Sequence, residues 1–440
     1  MTRTPVWRLI ITLSIPTIIT MLITNIYNVV DTAFVGRLGT SASGAVGVVF
    51  GFMAIIQAFG FLFGQGSGSI ISRRLGNREV DKAIHTASTG FFCSLFMGLV
   101  IGILGMLFLN PLVMWLGSTP TIAPYAKTYI RYILIASPFM TTSFTMNNIL
   151  RYEGKAAYGM VGLLTGSLLN IAGDYVLMFG LHMGIAGAGL STCLSQIISW
   201  SILLSMFLRG KTTTHISLAS LQLRMSLLSD IVLTGLPSLL RQMLNSLTTI
   251  LLNVLAADYG DEAVAAMSIV SRIVFFVFSV SLGTGQGFQP VCAFNYGAKK
   301  YARVRKAVWF TLVIGLVMMT LATLVVVQMP DTIIRLFRDD DKVIAIAHRA
   351  LLLQMAVLPT LPVSVITEMT FQCTGRKVGA AVLSSLRSGF FLVPALLILS
   401  KLRGLAGIQE AQPLAFVLTF FASVVCLLWY MKRLPKEDAT

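Results

Sequence analysis

The chain has 440 residues, of which 56% are hydrophobic and only 11% charged, with a formal net charge of +16 and five cysteines. A soluble domain carries about 25% charged residues, so this balance excludes a sizeable soluble domain and indicates a chain that crosses a membrane many times. The expected fold class is an all-α polytopic membrane protein with twelve spans, each long enough to meet the roughly 20 apolar residues a bilayer requires.

In chain order the spans cover about 8–34, 43–71, 84–109, 124–150, 157–180, 185–208, 228–256, 263–294, 302–328, 343–372, 378–399 and 413–431. Span 1 carries Pro16, Tyr27, Asn28 and Asp31 and has no small-residue cleavage site, so it reads as a retained helix and not as a signal peptide. Span 2 runs into "GQGSGSIISRRLGNREVDKA", Gly64 to Ala83, which begins like a phosphate-cradling loop. No strand precedes it, so its small residues read as close helix packing and its basic tail as an inner loop. Span 4 contains Asn147, span 5 Asn170 and Asp174, and span 6 the stretch "AGAGLST" with Thr192. A polar linker at 209–227 follows, and then Arg241 in span 7, Arg272 in span 8, Glu368 in span 10 and Arg387 in span 11. Cys93, Cys193, Cys292, Cys373 and Cys426 form no CxxC pair and read as packing residues.

The placement of the positive charge decides what it means. With the N-terminus inside, 21 of the 33 Lys and Arg fall in the inner segments, nine fall outside and three lie within spans. This is the positive-inside bias, and it predicts that both termini are cytoplasmic. Charge spread over every inner loop argues against nucleic acid as a partner.

The GQG stretch recurs as "GQGFQPVCAFNYGAKKYARV" from Gly285 to Val304, an offset of 221 residues. The same offset takes Pro16 to Pro237, Gly39 to Gly260, Gly76 to Gly297, Pro138 to Pro359 and Gly154 to Gly375. The chain is therefore expected to form two six-helix lobes, 1–208 and 228–440, joined by the linker 209–227. An even number of spans gives the lobes the same orientation, related by an axis along the membrane normal.

An aspartate at the centre of a spanning helix costs roughly 2.5–3.5 kcal/mol on insertion scales, so acids inside spans mark candidate sites. Asp31, Asp174 and Glu368 sit inside spans, and the other fourteen acids lie in or near loops or tails. Asp31 lies six residues before Arg37 and Asp174 six before Gly180, at the outer ends of spans 1 and 5, a depth of about 9 Å, with Asn28 and Asn170 one turn deeper on the same faces. The repeat supplies a control: Asp31, Asn170 and Asp174 correspond to Leu252, Phe391 and Ala395. A polar cluster present in one lobe alone points to a task of that lobe. An interfacial Asp31 and an internally satisfied Asp174 remain the other reading of the residues. Glu368 reads as a solvated helix end or as a substrate-facing acid. Tyr27 and Asn147 read as cavity-lining or as helix-to-helix hydrogen-bonding residues.

The chain resembles the multidrug and toxic compound extrusion (MATE) transporters, in their DinF-type or MepA-like bacterial branch, over essentially its whole length. The residues that carry the likeness are "LSIPTIITMLITNIYNVVDTAFVGRLG", "LTGLPSLLRQMLNSL", the paired GQG segments, "RYEGKA", "CTGRKV" and "NIAGDYVLMFG". The resemblance implies a twelve-helix, two-lobe exporter of organic, often cationic and amphipathic compounds, exchanged for protons or sodium. It implies a cation-linked site at Asp31, Asn170 and Asp174, which would also be the sodium position, with Thr192 beside it and a bend at Pro16. Where another branch has a deep acid in span 7, this chain has Arg241, which puts a cation site in the second lobe in doubt.

On this reading Asp31 and Asp174 are close enough for one carboxyl to take a proton readily. The expected function is antiport without catalysis or a bound cofactor. The expected partners are small organic molecules and membrane lipid, with the chain working as a monomer in the bacterial inner membrane. Tyr27, Asn28, Asn147, Arg241 and Glu368 are the candidate substrate-cavity residues. The rival reading is a flippase for an anionic lipid-linked substrate, supported by Arg241, Arg272 and Arg387. "LRGKT" at Leu208 to Thr212 lacks the first glycine of a Walker A loop, and His85, His182, His215 and His348 are scattered singly.

Overall fold

Apolar stretches of this length satisfy their backbone in lipid by intrahelical hydrogen bonds, and the computed structural model, which describes residues 1–435 and 438, consists of helices with no strand among the described residues. Twelve long rods follow in order. They are α1 (Val6–Gly36), α2 (Thr40–Gly76), α3 (Val80–Leu107), α4 (Ala123–Tyr152), α5 (Ala156–Gly180), α6 (Ile185–Leu208), α7 (Met225–Ala257), α8 (Asp261–Gly297), α9 (Tyr301–Gln328), α10 (Asp341–Cys373), α11 (Lys377–Arg403) and α12 (Leu405–Arg433). Each corresponds to one of the twelve expected spans, the third of which runs two residues past the end of α3. The tail drawn into the second lobe up to residue 440, including Lys436 of the inner charge set, lies partly outside the described residues.

Eleven rods are apolar enough to cross a membrane by composition, and α4 is not among them. Its Ser, Thr and Asn residues explain why, and the structure shows where they go. Ser137 Oγ donates to Gly98 O at 2.8 Å, Thr141 Oγ1 to Ser94 O at 3.1 Å, and Thr145 Oγ1 to Ser94 Oγ at 2.8 Å. Each hydroxyl is paired with α3 and buried, the arrangement polar residues need between helices in lipid.

The repeat read from the sequence is repeated in the backbone. Gly39 and Gly260 have φ of 116° and 98° where α2 and α8 begin, and Arg78 and Lys299 both take positive φ, at 64° and 56°, in the turns after them. Each pair is separated by the 221-residue offset. Short helices Leu109–Trp115 and Pro330–Arg335 also correspond between the halves.

By packing, the chain divides into one unit of Ile19–Leu239 and another of Met1–Ile18 with Leu240–Thr440. The division falls inside α1 and α7, two residues after Pro16 and two after Pro237, whereas the sequence boundaries at 208 and 228 follow span order. Proline removes an intrahelical hydrogen bond, so each of these helices is weakened next to the point where its packing partner changes. The GQG glycines explain the contacts that result. In the first unit a Cβ at Gly66 would stand 2.2 Å from Ile231 O, and one at Gly235 would stand 1.8 Å from Leu62 O, while Ser238 Oγ donates to Gln65 Oε1 at 2.8 Å. In the second unit a Cβ at Gly287 would stand 2.6 Å from Ser14 Cα. Backbone meets backbone here, so a side chain has no room. Gly235→Val is expected to cost about 1–3 kcal/mol or more through overpacking; an unchanged melting temperature in detergent would contradict this close approach.

Candidate functional site

The acids of spans 1 and 5 are brought together inside the Ile19–Leu239 unit. Asp174 is completely buried, Asn170 and Thr192 nearly so, and Asp31 retains 8% exposure. Asn170 stands one helical turn before Asp174 on α5, so its amide meets the carboxyl: Nδ2 donates to Asp174 Oδ1 at 3.4 Å. The same nitrogen lies 3.2 Å from Ser191 Oγ and 3.2 Å from Thr192 Oγ1 on α6. Ser191 Oγ donates to Asn170 O at 3.0 Å and Thr192 Oγ1 to Ala188 O at 3.0 Å, which fixes both hydroxyls with their lone pairs toward the amide. A π-helical turn, Tyr175–Gly180, begins immediately after Asp174; such turns occur frequently at functional sites.

The two carboxyls are close enough to interact directly. Ionised carboxylates have no hydrogen to offer one another, so this contact calls for a proton or a cation between them. No basic side chain is among the groups acting on either one. Asp31 Oδ1, Asp174 Oδ2 and Asn170 Oδ1 are buried without a hydrogen-bond partner. Unpaired buried oxygens are costly, and oxygen is the ligand type that a proton or a small hard cation takes.

Tyr27 and Tyr129 are also buried against the two aspartates. Tyr27 is one turn before Asp31 on α1. Tyr129 was missed from the sequence, since it lies on α4 with no acid near it in the chain; Ser191 was passed over for its neighbour Thr192. A cavity of about 50 Å³ reaches Asn170 and is lined by Thr24, Tyr27, Gln57, Ser167, Gln196 and Ser199 among others. Its wall is mainly apolar, with Met53, Met140, Phe144 and Leu163 alongside those polar groups. Towards the C-terminal ends of α1 and α5, Phe34, Tyr175 and Phe179 form a triangle with ring centroids 6.0–6.5 Å apart. Asn28 is only half-buried and its amide is not drawn into this set. Asn147 packs on α5, where a Cβ at Gly159 would stand 2.2 Å from its Oδ1.

The second unit carries a different cluster. Glu368, read from the sequence partly as a solvated helix end, is instead 5% exposed and accepts from Arg241 Nη1 at 2.5 Å. Its neighbours on α10 are buried on all sides, so distance in sequence from the basic loop misjudged its surroundings. Arg387 sits in a π-helical turn of α11, Leu386–Phe391, with its guanidinium carbon 4.6 Å from the Phe278 ring centroid. Arg272 is exposed.

Two segments of the chain, 16–176 and 237–397, match the MatE family, and their starts are separated by the same 221 residues that relate the halves. The chain belongs to the MatE family. It is similar to multidrug export protein MepA of Staphylococcus haemolyticus, with 27% identity over 97% of this chain and 94% of that protein. MepA of Staphylococcus aureus strain N315 is 26% identical over 99% of this chain and 97% of its own length. Among solved structures, a MATE protein in complex with MaL6 superposes with a TM-score of 0.94 at 25% identity, covering 99% of this chain and 98% of that one. The outward-facing conformation of a multidrug resistance MATE family transporter of the MOP superfamily gives the same values. The twelve-helix, two-lobe fold is therefore that of MATE transporters, and this MatE-family chain is a multi-pass membrane transporter and not an enzyme.

Proposed function

We propose that this chain exports organic, cationic or amphipathic compounds from the bacterial cytoplasm by antiport, driven by inward movement of protons or sodium through Asp31 and Asp174. The observation that carries this reading is the pair of buried carboxyls with orphaned oxygens and no basic partner. An entering cation neutralises the pair, with Asn170, Ser191 and Thr192 holding Asp174 in place; its release inward restores the charge. One charge moved through 100 mV supplies roughly 2.3 kcal/mol, equivalent to about a fiftyfold substrate gradient. The excess of Lys and Arg in the loops read as inner supports cytoplasmic termini, with one copy of the chain as the working unit.

Purified protein in liposomes, with proton and sodium gradients imposed independently, is expected to drive a fluorescent cation against its gradient under at least one of them. Dye movement indifferent to both gradients would refute antiport. The flippase reading loses support from the charge count, because one of the two buried arginines is already neutralised by Glu368, which leaves less positive charge than a pyrophosphate requires. Build-up of a lipid-linked precursor in a deletion strain would reverse that judgement.

A further inference from the structure

Buried charge in a membrane protein is expensive and is ordinarily paired. In the Leu240–Thr440 unit, three ionisable side chains from three helices meet in the interior: Arg241 of α7, Glu368 of α10 and Arg387 of α11, at 6%, 5% and 8% exposure. Arg241 and Glu368 form a direct pair. Arg387 acts on both electrostatically, but among the described residues it makes no hydrogen bond and rests on the face of Phe278. A guanidinium offers five donors, and here they find no acceptor. The cluster carries one positive charge more than it neutralises. The positions related to these by the repeat are Thr20, Asn147 and Gly166, all uncharged, so this set is no requirement of the shared fold.

We propose that the second unit holds a binding site for the carboxylate of an amphiphilic organic compound, with Arg387 as the ligating cation. The Arg241–Glu368 pair positions it, and Phe278 supplies an apolar face for the ligand's ring or chain. The single excess charge selects a monoanion over a phosphate or pyrophosphate. A bidentate carboxylate would satisfy two of the idle donors. The inference widens the substrate class of the exporter proposed above to compounds that bear an acid group, and rests on that reading only for its purpose.

The test is equilibrium binding by fluorescence anisotropy to the purified full-length protein with no gradient present. Three matched probes are used: pyrenebutanoate, its neutral methylamide and a pyrenylalkylammonium. The carboxylate is expected to bind about tenfold more tightly than the amide, the size of one charge-assisted hydrogen-bonded contact. Arg387→Met should remove that difference while leaving amide binding unchanged, and Arg387→Lys should keep part of it. Equal binding of carboxylate and amide to the unaltered protein would overturn the proposal, as would Arg387→Met with full carboxylate preference. Displacement of the probe by pyrophosphate at lower concentration than by a short monocarboxylate would overturn the monoanion assignment. The preference of the unaltered protein decides the matter even if Arg387→Met fails to fold. Because no gradient is involved, a failure here leaves ion-driven cation export standing, and a failure of antiport leaves this binding standing.

Discussion

Asp31→Asn and Asp174→Asn are each expected to abolish ion-driven export, with the substrate ratio across the liposome membrane falling from up to about fiftyfold per coupled charge at 100 mV towards one. The asparagine keeps the shape of the side chain and removes its titratable, cation-holding oxygen. Neither change should harm the fold, since a neutral amide is cheaper to bury than a carboxylate; size-exclusion behaviour and melting temperature in detergent should stay near those of the unaltered protein. Asp174 is the fully buried member of the pair and is held by Asn170. Asn170→Ala should weaken coupling less than either, because it removes a group that orients the carboxyl and leaves both acids present. Full export by both aspartate variants under the same gradients would remove these residues from the mechanism.

The fold was legible because it is written in long-range regularities. Twelve apolar runs and a 221-residue offset fix the helix number and the doubling, and the positive φ values at Gly39 and Gly260 repeat that offset in the backbone. Asp31, Asn170 and Asp174 were legible for a related reason: an acid inside a span is rare, and the positions related by the repeat, Leu252, Phe391 and Ala395, are apolar. Tyr129 was not, because nothing in the sequence says that α4 passes beside α1 and α5, and a tyrosine in an apolar run is ordinary. Glu368 was misjudged for the same physical reason. Its nearest basic residue in sequence is Arg376, but its partner is Arg241, 127 residues away. The packing division inside α1 and α7 was also invisible, since Pro16 and Pro237 announce a weak point in a helix without saying which neighbours each segment will meet.

Glu368→Ala is expected to be the most destabilising single change in the second unit. It leaves Arg241 and Arg387 buried with no carboxylate between them, and removing one partner of a buried pair costs about 3–5 kcal/mol. That figure exceeds the worth of the pair itself, because most of it is the penalty on the stranded guanidinium. The double variant Arg241→Met with Glu368→Met should therefore recover much of the loss, since replacing both members by apolar groups of similar volume is often neutral. Thermal unfolding of the single and double variants in detergent forms a cycle that isolates the coupling. A double variant as unstable as Glu368→Ala would mean that the stranded charge is not the source of the loss. In either variant Arg387 keeps its position over Phe278 and loses the carboxylate that acts on it, so an added carboxylate ligand should protect Glu368→Ala against unfolding more than it protects the unaltered protein.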